Sequence, residues 1–137
     1  MFDKPYIRFI MAILGIDDEL NAKVVSMALR DSGFEIIYLG TDNTPDQIVK
    51  AALQEDVDAI YLSVPSKSNK NLIIETLKIA KSANFVNSHK KFIFAGGIEL
   101  SSDDIKLLKD NGLAEIYEPN LKTHKILKSI LMLFENN

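Results

Sequence analysis

The stretch IRFIMAILG, residues 7–15, decides the fold. It is apolar at every position except Arg8 until it ends at Gly15. A near-continuous apolar run of this length is typical of a strand buried on both faces of a parallel sheet, because helices cover both faces of such sheets. The stretch therefore predicts a strand of an α/β protein.

Outward from this strand, predicted strands and helices alternate along the chain. Further apolar runs predict strands at residues 34–39, 59–63, 92–95 and 114–117. Each run is followed by apolar residues at helical spacing, which predict a helix. Five such units predict a single domain, residues 1–137, with a flavodoxin-like (Rossmann-like) doubly wound sheet. Its five parallel strands are expected in the order 2-1-3-4-5, with helices on both faces.

Two helix starts carry capping signals. Asp17 and Asp18 offer an N-cap to the first helix. Thr44, with Pro45 and Gln47 after it, predicts a capping box at the start of the second helix. The apolar residues that recur at helical spacing in the first helix are Leu20, Val24, Met27 and Ala28.

Composition excludes several classes of protein. The chain has 137 residues and a net charge of −3, from 16 basic and 19 acidic side chains, so we expect no nucleic-acid partner. The absence of cysteine excludes disulfides, cysteine-bound zinc and iron–sulfur clusters. The apolar stretch at residues 9–14 is too short to span a membrane, and residues 1–5 do not resemble a signal peptide. We expect a soluble cytoplasmic protein with no membrane partner.

Ligands of doubly wound sheets bind at the carboxyl ends of the strands, beside the point where the strand order reverses. The first loop there carries Asp17, Asp18 and Glu19. Three carboxylates could hold a hard cation such as Mg²⁺, or they could cap the helix, which is the commoner role, so no metal ligand is assigned. A phosphate-accepting receiver domain would also need an aspartate at the end of the third strand. This chain has Ser63 there, so that class is excluded.

The third loop carries hydroxyl and amide side chains, at Ser63, Ser66, Ser68 and Asn69. They could hydrogen-bond a buried group of a ligand, or they could form a solvated loop. A nucleophilic serine needs a neighbouring base. However, His89 precedes the fourth strand, at the wrong edge of the sheet, and His124 lies in the last helix. A Ser–His hydrolase is therefore not expected, and no residue is assigned a catalytic role.

Gly96 and Gly97 follow the fourth strand. Two glycines there could let a ligand or a neighbouring backbone approach closely, or could form a tight turn into the next helix. The motifs GxGxxG after the first strand and GxxxxGK[ST] are both missing, so dinucleotide and P-loop nucleotide binding have no support.

Taken together, these loops resemble the cobalamin-binding domain of the adenosylcobalamin-dependent mutases, in particular the C-terminal domain or small subunit of methylmalonyl-CoA mutase. The resemblance runs from Ile7 to about Phe134. The segments that carry it are AKV at 22–24, DSGFE at 31–35, TPDQIV at 44–49, Ser63, AGGI at 95–98 and DNGLAEIY at 110–117.

The resemblance implies a site with a known layout. In the family, the first loop carries D-x-H-x-x-G, whose histidine ligates cobalt and whose aspartate orients that histidine. The dimethylbenzimidazole tail of the cofactor lies between the sheet and the first helix, in a pocket lined by an S-x-L motif and a Gly-Gly motif. The cofactor-binding residues that the resemblance implies here are Asp17, Glu19, Ser63, Ser66, Gly96, Gly97 and Tyr117.

The chain departs from the family at the first loop. Asp17 matches the motif aspartate, but Glu19 stands at the histidine position, and no histidine occurs in this loop. The S-x-L motif has become Ser63-Val64-Pro65, whereas the Gly-Gly pair is intact.

Two functions therefore remain open. The chain could bind cobalamin without histidine ligation from the first loop, as the small subunit of a carbon-skeleton mutase. It would then not be catalytic alone, and its partner would be a large subunit with a barrel domain. Alternatively, it could be a degenerate paralogue that acts as an interaction or regulatory subunit. A homodimer through a helix face is left open by both.

Overall fold

A computed structural model describes residues 6–15, 19–85 and 91–135. The strands are β1 Arg8–Ile13, β2 Glu35–Gly40, β3 Ala59–Ser63, β4 Phe92–Gly96 and β5 Glu115–Tyr117. The helices are α1 Leu20–Asp31, α2 Pro45–Gln54, α3 Lys70–Ser82, α4 Ser102–Asp110 and α5 Thr123–Glu135. A short 3₁₀ turn, Lys67–Asn69, precedes α3. The predicted alternation of strands and helices is confirmed.

The five strands form one parallel sheet in the order β2-β1-β3-β4-β5. This is the predicted order, with the reversal between β1 and β3. The middle of β1, from Phe9 to Ala12, has no exposed surface at all. The apolar stretch at residues 7–15 therefore contains a strand that is buried on both faces, as expected.

The pleat of β1 divides the core into two layers, because alternate side chains of a strand point to opposite faces. Ile10 and Ala12 pack in the layer covered by α2, α3 and α4. Phe9 and Met11 pack in the layer covered by α1 and α5. The second layer is rich in aromatic rings, with the Phe9 ring 5.3 Å from Phe34 and 6.1 Å from Phe134.

The capping box of α2 is confirmed. The backbone amide of Gln47 donates to Thr44 Oγ1 over 3.2 Å, and the Thr44 amide donates to Gln47 Oε1 over 2.9 Å. The start of α1 differs from the prediction, because its N-cap is Glu19, in a left-handed conformation with φ 68° and no side-chain capping bond. Asp17 and Asp18, the predicted caps, lie outside the described residues.

The buried side of α1 is not the side marked by its large apolar residues. Leu20 is 65% exposed and Met27 is 61% exposed. The residues of α1 that face the sheet are smaller on average: Ala22, Val25, Ser26 and Leu29. Both sets recur at helical spacing, so the pattern predicts the helix correctly but does not decide which of its sides is buried.

No helix within residues 6–15, 19–85 and 91–135 is long and apolar enough to cross a bilayer.

Candidate functional site

The carboxyl edge of the sheet brings three predicted site residues together. In the strand register, Ser63 lies beside Gly96, and Gly96 lies beside Tyr117. Backbone hydrogen bonds extend this pairing past the strand ends, from Val64 N to Gly96 O (2.9 Å) and from Gly97 N to Tyr117 O (3.0 Å). The ends of β3, β4 and β5 therefore form one continuous surface.

Glu19 lies at the same edge but is engaged with β2. The hydroxyl of Tyr38 donates to Glu19 Oε1 over 2.7 Å. Burial, together with the bond to this carboxylate, raises the pKa of Tyr38 to about 12. Asp17, the other acidic residue predicted here, lies outside the described residues. Among the residues that the structure describes, no three acidic or histidine side chains are placed to hold a metal ion.

The serine-rich loop after β3 is held mainly by its own contacts. Ser66 is exposed, and its Oγ lies 2.8 Å from Ser68 Oγ and accepts from the Ser68 amide at 3.2 Å. Asn69 Nδ2 donates to the carbonyl of Leu14 over 2.9 Å, which ties the loop to the end of β1. Asn69 therefore has a structural role, whereas the Ser66 side chain remains accessible to a ligand.

Gly97 lets the first turn of α1 approach the sheet. Its φ of 86° disfavours any residue with a side chain, and a Cβ atom there would lie 2.9 Å from Asn21 Nδ2. Asn21 belongs to the first turn of α1. The approach that Gly97 permits in this structure is that of a neighbouring helix.

Gly96 makes room for a tyrosine that the sequence analysis did not single out. A Cβ atom at Gly96 would lie 2.9 Å from Tyr61 Cζ, so the phenol of Tyr61 fills the space a side chain would take. The Tyr61 ring stacks on Tyr117 at 6.3 Å and 8° between planes. Tyr61 sits within an apolar strand, where a tyrosine is ordinary, so no local sequence signal marks it.

Two buried hydroxyls on the α1 side of the sheet lack a hydrogen bond. These are Tyr61 Oη and Ser26 Oγ, neither of which has a partner among the described residues. Burial also raises the pKa of Tyr61 and of Tyr117, so both phenols stay neutral at physiological pH. An unpaired buried hydroxyl is costly, so the position of Tyr61 is maintained by packing and not by polar contacts.

A family model described as the B12 binding domain matches residues 12–119. The chain belongs to this family. It is 30% identical over 129 residues to the 2-hydroxyisobutanoyl-CoA mutase small subunit of Aquincola tertiaricarbonis, covering 93% of this chain and 92% of that one. It is 27% identical to the methylmalonyl-CoA mutase of Escherichia coli K12, covering 95% of this chain but only 18% of that enzyme.

The solved structures agree on the fold. A cobalamin-binding protein from Desulfitobacterium hafniense DCB-2 superposes with a TM-score of 0.79 at 15% identity, over 94% of this chain and 60% of that one. Similarity at this level of identity concerns the fold, and it confirms the flavodoxin-like architecture.

The B12-binding family implies a cofactor that consists of a corrin ring and a nucleotide tail. The described residues leave room for the ring but not for the tail. Gly40 ends β2, and Gly15 and Gly97 follow the ends of β1 and β4. All three are partly exposed, and amide side chains of neighbouring segments lie against Gly15 and Gly97. A flat macrocycle bound at this edge would contact those amide side chains together with the glycine backbone. The tail, in contrast, does not fit beside Gly96 as the chain stands, because the phenol of Tyr61 occupies that space.

Proposed function

We propose that this chain is the corrinoid-carrying subunit of a carbon-skeleton mutase. The observation that carries the proposal is the match to a mutase small subunit over nearly the full length of both chains. In the proposed assembly, a separate large subunit with a barrel domain provides the substrate site. This chain contributes no catalytic side chain and holds the cofactor.

The proposed seat of the corrin ring is the carboxyl edge of the sheet. Of the residues predicted to bind the cofactor, Glu19, Ser66 and Gly97 have exposed or partly exposed surface there. Ser63, Gly96 and Tyr117 lie buried just beneath the edge, so they shape the seat from below. Asp17 completes the predicted set from the first loop. That loop contains no histidine, so cobalt ligation from it is not part of the proposal.

Titration of the purified protein with hydroxocobalamin and with adenosylcobalamin tests this function. After desalting, we expect the protein fraction to retain corrinoid in an amount approaching that of the chain, seen in the ultraviolet–visible spectrum. A protein that stays colourless at high corrinoid concentration would contradict the proposal. It would instead favour the interaction subunit without a cofactor.

A further inference from the structure

The space beside Gly96 is occupied by a side chain of the protein itself, that of Tyr61. Tyr61 has no exposed surface, and its ring reaches across from β3 to cover the glycine on β4. The register pairs Gly96 with Ser63, two residues beyond Tyr61, so the phenol leans toward the carboxyl edge. It thus occupies the layer between the sheet and helices α1 and α5, below the proposed ring seat.

The Tyr61 ring is fixed by its neighbours. It stacks on Tyr117, whose hydroxyl lies 2.8 Å from Ser129 Oγ on α5. Tyr117 in turn stacks on Phe94 at 6.3 Å. Moving the Tyr61 ring aside would disrupt this stack and open a void, which close-packed interiors resist.

From this packing we infer that Tyr61 closes the tail pocket, so that the chain recognises the corrin ring but not the nucleotide tail. The inference rests on the proposed corrinoid-binding function and narrows its ligand class. A tail that adds no contacts adds no affinity, so corrinoids that lack it should bind as well as complete ones. Bound cobalamin should also keep its own base on cobalt, because the base has no pocket to enter.

Cobinamide, a corrinoid without the nucleotide tail, is the probe that tests the inference on the unmodified protein. Dissociation constants for aquacobinamide and hydroxocobalamin are measured by absorbance titration under identical conditions. We expect cobinamide to bind at least as tightly as cobalamin, and bound adenosylcobalamin to show the base-on spectrum of the free cofactor. A preference for cobalamin of tenfold or more, or a base-off spectrum, would overturn the inference.

A pair of variants locates the effect at the Tyr61 ring. Tyr61→Gly removes the ring and should shift the ratio of the two dissociation constants at least tenfold in favour of cobalamin. Tyr61→Phe keeps the ring and removes only the unpaired hydroxyl, so its ratio should equal that of the unmodified protein. An unchanged ratio in a folded Tyr61→Gly protein would overturn the inference. If that variant does not fold, the comparison on the unmodified protein still decides.

The corrinoid titrations of the unmodified protein and of Tyr61→Gly distinguish the proposal of corrinoid binding from the proposal that Tyr61 closes the tail pocket. The unmodified protein could retain neither corrinoid while Tyr61→Gly retains cobalamin. That result would refute corrinoid binding by the natural chain and would support the closure of the tail pocket by Tyr61. If neither protein retains a corrinoid, both proposals fail. If the unmodified protein binds cobalamin in preference to cobinamide, the function stands and closure fails.

Discussion

At the scale of single residues, two glycines with similar backbones lie at opposite edges of the sheet. Gly97 has φ 86° at the carboxyl edge, and Gly112 has φ 107° in the turn between α4 and β5. A side chain is strained at both positions, by about 1–2 kcal/mol on the scale of left-handed backbone. Only at Gly97 would the added atom also meet a neighbour, Asn21.

Gly97→Ala and Gly112→Ala are therefore a matched pair. Urea unfolding should show a loss of about 1–2 kcal/mol in the free energy of unfolding of Gly112→Ala, and a loss at least as large in Gly97→Ala, where Asn21 must also shift. Absorbance titration should show weaker hydroxocobalamin binding in Gly97→Ala alone, by about tenfold, equivalent to about 1.4 kcal/mol. Equal affinity in the two variants would place the corrinoid away from Gly97.

The hydrogen bond between Tyr38 and Glu19 predicts a pH dependence of stability. The folded protein raises the pKa of Tyr38 from its ordinary value near 10 to about 12, so folding favours the protonated phenol. Its contribution is complete below about pH 10 and is lost as the pH rises through about 12. Tyr38→Phe should weaken the alkaline decline in the free energy of unfolding, measured by urea titration across this interval. The same alkaline slope in both proteins would exclude the effect.

At the scale of elements, α1 shows why a helix can be predicted while its orientation is not. Leu20, Val24 and Met27 follow helical spacing, and so do Ala22, Val25 and Leu29. The helix turns the second set toward the sheet, where the aromatic residues of β1, β3 and β4 already fill much of the layer. Which set of residues is buried depends on the face of the sheet against which α1 packs. The sequence of the helix alone carries no information about that face.

A comparison of two substitutions on α1 checks this orientation. Leu29→Ala removes a fully buried side chain and should lower the free energy of unfolding by about 2–5 kcal/mol. Met27→Ser truncates a side chain of similar size that is 61% exposed, and it should change the free energy of unfolding by no more than about 0.5 kcal/mol. Urea denaturation of both variants measures the difference. A larger loss in Met27→Ser than in Leu29→Ala would mean that the helix is turned the other way.

At the scale of the whole molecule, the fold follows from features that are local in the sequence. Apolar runs such as residues 7–14 identify the strands, the capping box at Thr44 locates a helix start, and five βα units define the strand order. The candidate site is less local. Ser63, Gly96 and Tyr117 come together as the topology predicts. That Tyr61 fills the layer beneath them could not be predicted, because it depends on how far the Tyr61 ring extends from β3 towards Gly96 on β4.

The central claim is that this member of the B12-binding family seats a corrinoid at the carboxyl edge of its sheet. Hydrogen–deuterium exchange with and without hydroxocobalamin tests it most directly. We predict slower exchange at residues 63–70, at residues 96–101 and in the first turn of α1. Exchange should stay unchanged at the opposite edge, in the turns at residues 32–34, 55–58 and 111–114. Protection at that opposite edge, or none at the carboxyl edge while corrinoid is bound, would contradict the claim.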